Sequence, residues 1–121
     1  MSLGGSDLVD DWYRGQDGEV RGRVDAILEH LGSRGRDAWR RPLFDLLSGG
    51  PCKGLAEIRI KARSGQYRLL GYFGPERSVF TILSCFKKTR LADTEDSCRS
   101  AQVRRKEIGI DVSRARKCEF P

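Results

Sequence analysis

The chain has 121 residues, 38% hydrophobic and 33% charged, with 14 Gly and 4 Pro, a composition that fits one globular domain and excludes a collagenous or disordered chain. Its longest uncharged apolar run, Ser78 to Phe86, is about half of the ~20 residues a membrane helix takes, which excludes a helical span. The formal charge of +6 is unevenly laid out: Asp7, Asp10, Asp11, Asp17 and Glu19 face Arg14 alone in the first twenty residues, so the basic excess lies beyond them and suits phosphate backbones or an acidic partner.

In chain order, residues 1–6 lack the basic and apolar regions of a secretion signal; they read as a tag or disordered start, and the chain as cytoplasmic. From Glu19 to Leu31, Val20, Val24, Ile27, Leu28 and Leu31 recur on one face of a helix that Gly32 is placed to stop. A second, shorter helix is expected over Asp37–Leu47, with Pro42 near its first turn and Ser48-Gly49-Gly50-Pro51 closing it. Beyond Cys52 the period changes to two, giving strands over Gly54–Ala62, Gln66–Phe73 and Ser78–Phe86 that read as an antiparallel meander. Asp93 or Thr94 caps a polar helix running to about Ile108, and residues 110–121 form a basic tail, most basic from Ser113 to Lys117. One domain therefore spans residues 1–121.

A two-residue loop at Ser64-Gly65 sorts the first hairpin into faces. Ala56, Ile58, Ile60 and Ala62 join Tyr67, Leu69, Gly71 and Phe73 on an apolar face; Glu57, Arg59, Lys61 and Arg63 join Gln66, Arg68, Leu70 and Tyr72 on a polar one. A second loop at Pro75-Glu76 places Phe80 and Ile82 with the apolar set, and Thr81, Leu83, Cys85 and Lys87 with the polar set. The expected fold is α+β: N-terminal helices on one face of a small antiparallel three-strand sheet, the other face open, then a C-terminal helix.

Cys52, Cys85, Cys98 and Cys118 form no C-x-x-C pair and lie far from the single histidine. They read as four reduced thiols without a zinc site. His30 falls off the apolar stripe of its helix and reads as non-catalytic. On the open face Lys61 is expected directly opposite Arg68, with Arg59 and Arg63 diagonal to it. Like charges so opposed cost up to ~1 kcal/mol, which a bound polyanion explains and long side chains fanning into water would also relieve. Tyr72 offers a ring for base stacking and Lys87-Lys88 adds charge, pointing to single-stranded RNA or a ribonucleoprotein surface. Duplex DNA is disfavoured, because the helix carrying Asp25 and Glu29 has no basic recognition helix beside it.

In order, Arg41-Pro42-Leu43, Gly54-Leu55-Ala56-Glu57-Ile58-Arg59-Ile60, Gly65-Gln66-Tyr67-Arg68-Leu69-Leu70 and Phe86-Lys87-Lys88-Thr89 resemble the phage-derived, HigB-like branch of the RelE toxin superfamily, over roughly Trp12 to Gly109. The resemblance implies a RelE-like domain and a type II toxin. Such a protein is a ribosome-dependent endoribonuclease, an mRNA interferase acting without metal or other cofactor, and is held inactive by an antitoxin of helix-turn-helix type. The implied reaction is attack of a ribose 2′-hydroxyl on the adjacent phosphate. Carried over by position, Arg59 and Arg68 hold phosphate oxygens, Lys61 transfers a proton, and Lys87 or Lys88 supplies the cation ending the third strand. Arg63, Tyr72, Arg104 and Arg105 are read as RNA-binding. Some members use a tyrosine after the last strand, but Lys88 to Glu107 contains neither tyrosine nor histidine. The alternative is a catalytically silent RNA-binding or regulatory module on the same fold.

Overall fold

Helix α2, Gly18–Ser33, begins where Asp17 caps it, its carboxylate accepting the Val20 amide at 2.9 Å. The five apolar residues of the expected stripe are all buried. This computed structural model describes residues 2–5, 7–76, 78–110 and 116–117. Ahead of α2 lies helix α1, Asp7–Arg14, which the sequence reading did not expect. Its Trp12 and Tyr13 pack on the same core, and the Tyr13 hydroxyl donates to Asp25 at 2.6 Å. Burial, reinforced by that carboxylate, pushes the Tyr13 phenol up to about 12.

The helix expected over Asp37–Leu47 is not formed. A 3-10 turn at Arg36–Ala38 is followed by strand β2, Phe44–Leu46. Pro42 has no backbone N–H to donate, and a helix would set Trp39 and Phe44 about 140° apart around its axis. Instead both enter one aromatic cluster with Phe73 and Phe80, ring centroids 5.1 to 5.8 Å apart. The Trp39 indole N–H reaches the Leu31 carbonyl at 3.0 Å.

The meander is present as β3, Ala56–Ala62, β4, Gly65–Phe73, and β5, Val79–Lys88. It sits inside a six-stranded sheet of order β2-β3-β4-β5-β1-β6. Residues 2–5, read as a tag or disordered start, form β1, Ser2–Gly5, parallel to β5. Of the basic tail, only Arg116–Lys117 is described, as β6 against β1. The sheet is therefore mixed rather than purely antiparallel.

Two register details decide where side chains point. The β3–β4 loop is Arg63-Ser64, so Arg59 rather than Lys61 stands opposite Arg68, and Lys61 faces Gln66. The error is two residues, an even number, so the division into faces survives. Between β4 and β5 the pairing slips by one: Gly71 faces Ile82 but Leu70 faces Ser84. A side chain on Gly71 would strike the Phe80 ring at 2.7 Å and the Thr81 carbonyl. Beyond this bulge the alternation is inverted. Cys85 and Lys87, expected on the polar face, lie instead on the α2 face opposite Leu69 and Tyr67, while Phe86 and Lys88 stand opposite Arg68 and Gln66.

The polar face is not open. Helix α3, Leu91–Ile110, lays Cys98, Ala101 and Ile108 on it, and these are buried with Leu55, Leu70, Tyr72 and Leu83. A disulfide joins Cys52 to Cys98, Cα atoms 5.1 Å apart, which corrects the reading of four reduced thiols. Cys85 takes no part in it, and Cys118 lies outside the described residues. The Gln102 amide donates to the Pro51 and Lys53 carbonyls at 3.0 and 2.8 Å, tying α3 to the same loop. No helix among the described residues is long and apolar enough to cross a membrane.

Helix α3 starts earlier than expected because Asp93 folds back over the preceding turn, accepting the Thr89 and Arg90 amides at 2.8 and 2.7 Å. Those amides hold the Asp93 carboxyl well below the usual carboxylate range. A depressed carboxyl stabilises the fold above its unfolded pKa and loses that contribution as pH falls through its folded one. In denaturant melts from neutral pH down to about pH 2, Asp93→Ala is expected to reduce the acid-side loss of stability seen in the parent. Parallel pH profiles for the two proteins would refute this role.

Candidate functional site

Odd-numbered residues of β3 face α3, and near the free end of the first hairpin they run out from under that helix. Here the sheet presents two rows across three strands. One is Arg59, Arg68 and Phe86; the other is Lys61, Gln66 and Lys88. Strands are ~4.8 Å apart, so the two lysines stand one on each side of Gln66 with their backbones about 10 Å from each other.

The two rows differ electrostatically. Arg68 is only 7% exposed and Glu57 only 3%. The Arg59 Nε donates to Glu57 at 2.9 Å and its Nη2 to Asp45 at 3.1 Å, while the Arg68 Nε approaches the other Glu57 oxygen at 3.7 Å. Arg68 also donates to the Gln66 side chain at 2.9 Å and to the Tyr67 carbonyl at 3.1 Å, yet its Nε is buried without a hydrogen-bond partner. Burial pulls its guanidinium below the ordinary arginine range, with Glu57 opposing and Arg59 reinforcing the shift. Arg41 grips Asp45 through two bonds of 3.1 Å and holds that carboxyl below its usual range. Glu57 thus answers the repulsion of the opposed arginines. Lys61 and Lys88 have no ion pair within the described residues.

A relief of like charges on removing Arg68, the natural expectation from the sequence, is therefore reversed. Arg68→Ala leaves a buried carboxylate sharing only Arg59, and is expected to cost on the order of 2 kcal/mol, below the figure for a buried charge stripped of every partner. Urea melts of variant and parent would decide it; an unchanged midpoint would mean that Arg59 alone satisfies Glu57.

The other expected RNA contacts are placed less simply. Arg63 is exposed in the hairpin loop and pairs with Glu19 at 3.4 Å, Glu19 also accepting its amide at 2.5 Å. Tyr72 is not a free stacking platform: it is 8% exposed, with the Arg105 guanidinium 4.9 Å from its ring centroid. Arg104 donates to the Leu83 carbonyl at 2.5 Å, so both arginines fasten α3 to the sheet. Lys87 lies on the far face, its Cε 2.7 Å from where a side chain on Gly65 would begin. Of the two cations considered for the end of the third strand, Lys88 is the one that shares the site.

A cleft of about 680 Å³ opens beside this site, between α2 and the free edge of β3; Arg59, Lys61, Gln66 and Arg68 line it together with Arg23 and His30 of α2. His30, set aside on sequence grounds, is exposed at its rim. Asp45 and Glu57 are site residues that the sequence reading used little or not at all. Asp45 was hidden because its strand had been read as a helix. Among the described residues no three His, Cys, Asp or Glu side chains cluster.

The family model described as phage-derived protein Gp49-like matches residues 11–106. Among solved structures, a double mutant of the Escherichia coli toxin RelE in the free state is 20% identical, covering 86% of this chain and 98% of its own, with a TM-score of 0.52. The E. coli RelBE toxin–antitoxin complex is 26% identical over 74% of this chain and 98% of the matched one, with a TM-score of 0.47. No curated protein matches.

Proposed function

Because the chain belongs to the phage-derived Gp49-like family and has the RelE-like toxin fold, we propose that it is the toxin of a type II toxin–antitoxin pair, an endoribonuclease that cleaves messenger RNA on cytoplasmic ribosomes. The observation that carries this reading is the pair of unneutralised lysines, Lys61 and Lys88, beside an arginine pair held rigid by Glu57 and Asp45. In the proposed step the ribose 2′ oxygen attacks phosphorus and the bond to the 5′ oxygen breaks, leaving a cyclic phosphate. Arg59 and Lys88 stabilise the negative charge developing on the phosphoryl oxygens, the 2′-hydroxyl gives its proton to water, and the Lys61 ammonium donates a proton to the leaving 5′ oxygen and is reprotonated from solvent. Arg68, almost wholly buried, sets the position of Gln66 and Glu57. The step is proposed to need no metal, and the antitoxin is proposed to be of helix-turn-helix type.

A second reading, a silent RNA-binding or regulatory module, is favoured by one observation. Two of the expected catalytic cations, Arg59 and Arg68, are already paired with carboxylates. Inducing the protein alone in a bacterial host and mapping messenger RNA 5′ ends separates the two. Growth arrest with new ends, persisting in cleavage reactions with a chelator that leaves ribosomes intact, is expected. Folded protein with neither arrest nor new ends would overturn the enzyme reading.

A further inference from the structure

Strand β2 covers β3 only as far as Ile58. The Arg59 amide is taken by the Leu43 carbonyl at 2.8 Å, and from Ile60 onward β3 is an edge with α2 crossing above it. The cleft along this edge has two chemically distinct parts. Part of its lining is apolar, from Ile27, Pro42, Leu43 and Ile60; the rest is polar, with the Arg23 guanidinium and the His30 imidazole from α2 and the cations Arg59 and Lys61 from β3.

No carboxylate lines it, although α2 carries several. Glu19 is drawn off to Arg63 and Asp25 to the Tyr13 hydroxyl. Arg23 and Lys61 have no ion pair among the described residues. An apolar lining flanked by these two cations without ion partners, Arg23 and Lys61, and by Arg59, whose charge Glu57 and Asp45 already answer, fits a ligand that is flat and apolar at one end and anionic at the other. Its volume, about 680 Å³, lies within the ~300–1,000 Å³ of small-ligand sites.

We propose that this cleft is a nucleotide subsite: the base of a ribonucleotide beside the cleaved bond lies on Pro42, Leu43 and Ile60, and its phosphate is held by Arg23 and His30. The assignment rests on the ribonuclease reading for its place in catalysis, because cleft and catalytic rows share Arg59, Lys61, Gln66 and Arg68. A strand entering the cleft would pass its next phosphate along that shared edge. Arg23 and His30 are positioning residues, acting on the nucleotide next to the reacting one.

The folded protein titrated with adenosine 5′-monophosphate, and separately with inorganic phosphate, tests this through its amide resonances. The nucleotide is expected to shift Ala26 to His30, Leu43 and Ile60, and to bind more tightly than phosphate, which shifts the polar part alone. Arg23 and His30 are exposed, so Arg23→Ala/His30→Ala keeps the parent melting temperature. This variant is expected to bind the nucleotide about tenfold more weakly, and to raise KM for cleavage while sparing kcat. Equal binding and identical shifts for nucleotide and phosphate would make the cleft an anion site only and overturn the proposal, as would unchanged nucleotide binding in the variant. Nucleotide binding as described in a protein that cleaves no messenger RNA would sink the ribonuclease reading and leave the subsite standing. Cleavage without nucleotide binding at the cleft would do the reverse.

Discussion

Lys61→Ala is expected to lower messenger RNA cleavage ~10²–10³-fold, the usual loss when one preorganised charge is taken from a developing oxyanion or leaving group, while leaving the melting temperature unchanged. The two halves of that expectation have separate causes. Lys61 is exposed and has no ion pair among the described residues, so the fold does not depend on its charge. It also lies two residues along β3 from Arg59, on the same face, and lines the cleft with it, so a phosphate on this face meets it. The bulge supplies an internal control. Lys88 shares the face of Lys61 and Lys87 does not, so Lys88→Ala should impair cleavage and Lys87→Ala should spare it. The opposite pattern would place the reaction on the α2 side and remove the two-row arrangement from consideration.

Reduction of the Cys52–Cys98 bond is expected to cost about 4 kcal/mol of stability, from the entropy of a loop closed across 46 residues. Cys98 is fully buried and Cys52 is 8% exposed, so the bond also fastens the middle of α3 to the loop before β3. Urea melts with and without dithiothreitol, repeated on Cys98→Ala, measure it. The reduced parent and the variant should converge on one lowered midpoint; a parent indifferent to reductant would show that the thiols are not joined in solution. The measurement bears on the cellular setting, because the cytoplasm proposed for this protein keeps most thiols reduced. Reductant therefore reproduces the working condition more closely than air does.

Much of this was legible in local pattern. The α2 stripe needed only 3.6-residue spacing, and the cations of β3 and β4 fell on their correct face because a two-residue register error leaves alternation intact. What escaped depended on distant partners. β1 is Ser-Leu-Gly-Gly, with no β-branched residue to announce a strand, and it exists because β5 offers it an edge. β2 was hidden by Pro42 and by an apolar spacing compatible with a helix. α3 looked polar all round because Cys98, Ala101 and Ile108 are a thin stripe, widened by Tyr72 and Leu70 reaching up from the sheet. The bulge at Leu70/Gly71 left no mark except the glycine itself. It alone misplaced Cys85 and Lys87, and so left Lys87 and Lys88 undivided.

The parallel pairing of β1 with β5 sets an order of assembly. Ser2 leaves a ribosome's exit tunnel ahead of its partner Val79, so β1 must wait until the β3–β5 meander has emerged. The hairpins β3–β4 and β4–β5 join neighbours and close small loops, which is fast, whereas β1 must search across a long tether. The nascent chain therefore builds its cationic hairpin before the far edge of its sheet is sealed. In the finished protein the same hierarchy runs backward: the amides of Leu3 to Gly5 open to solvent exchange through a smaller fluctuation than those of Leu69 and Leu70 at the centre.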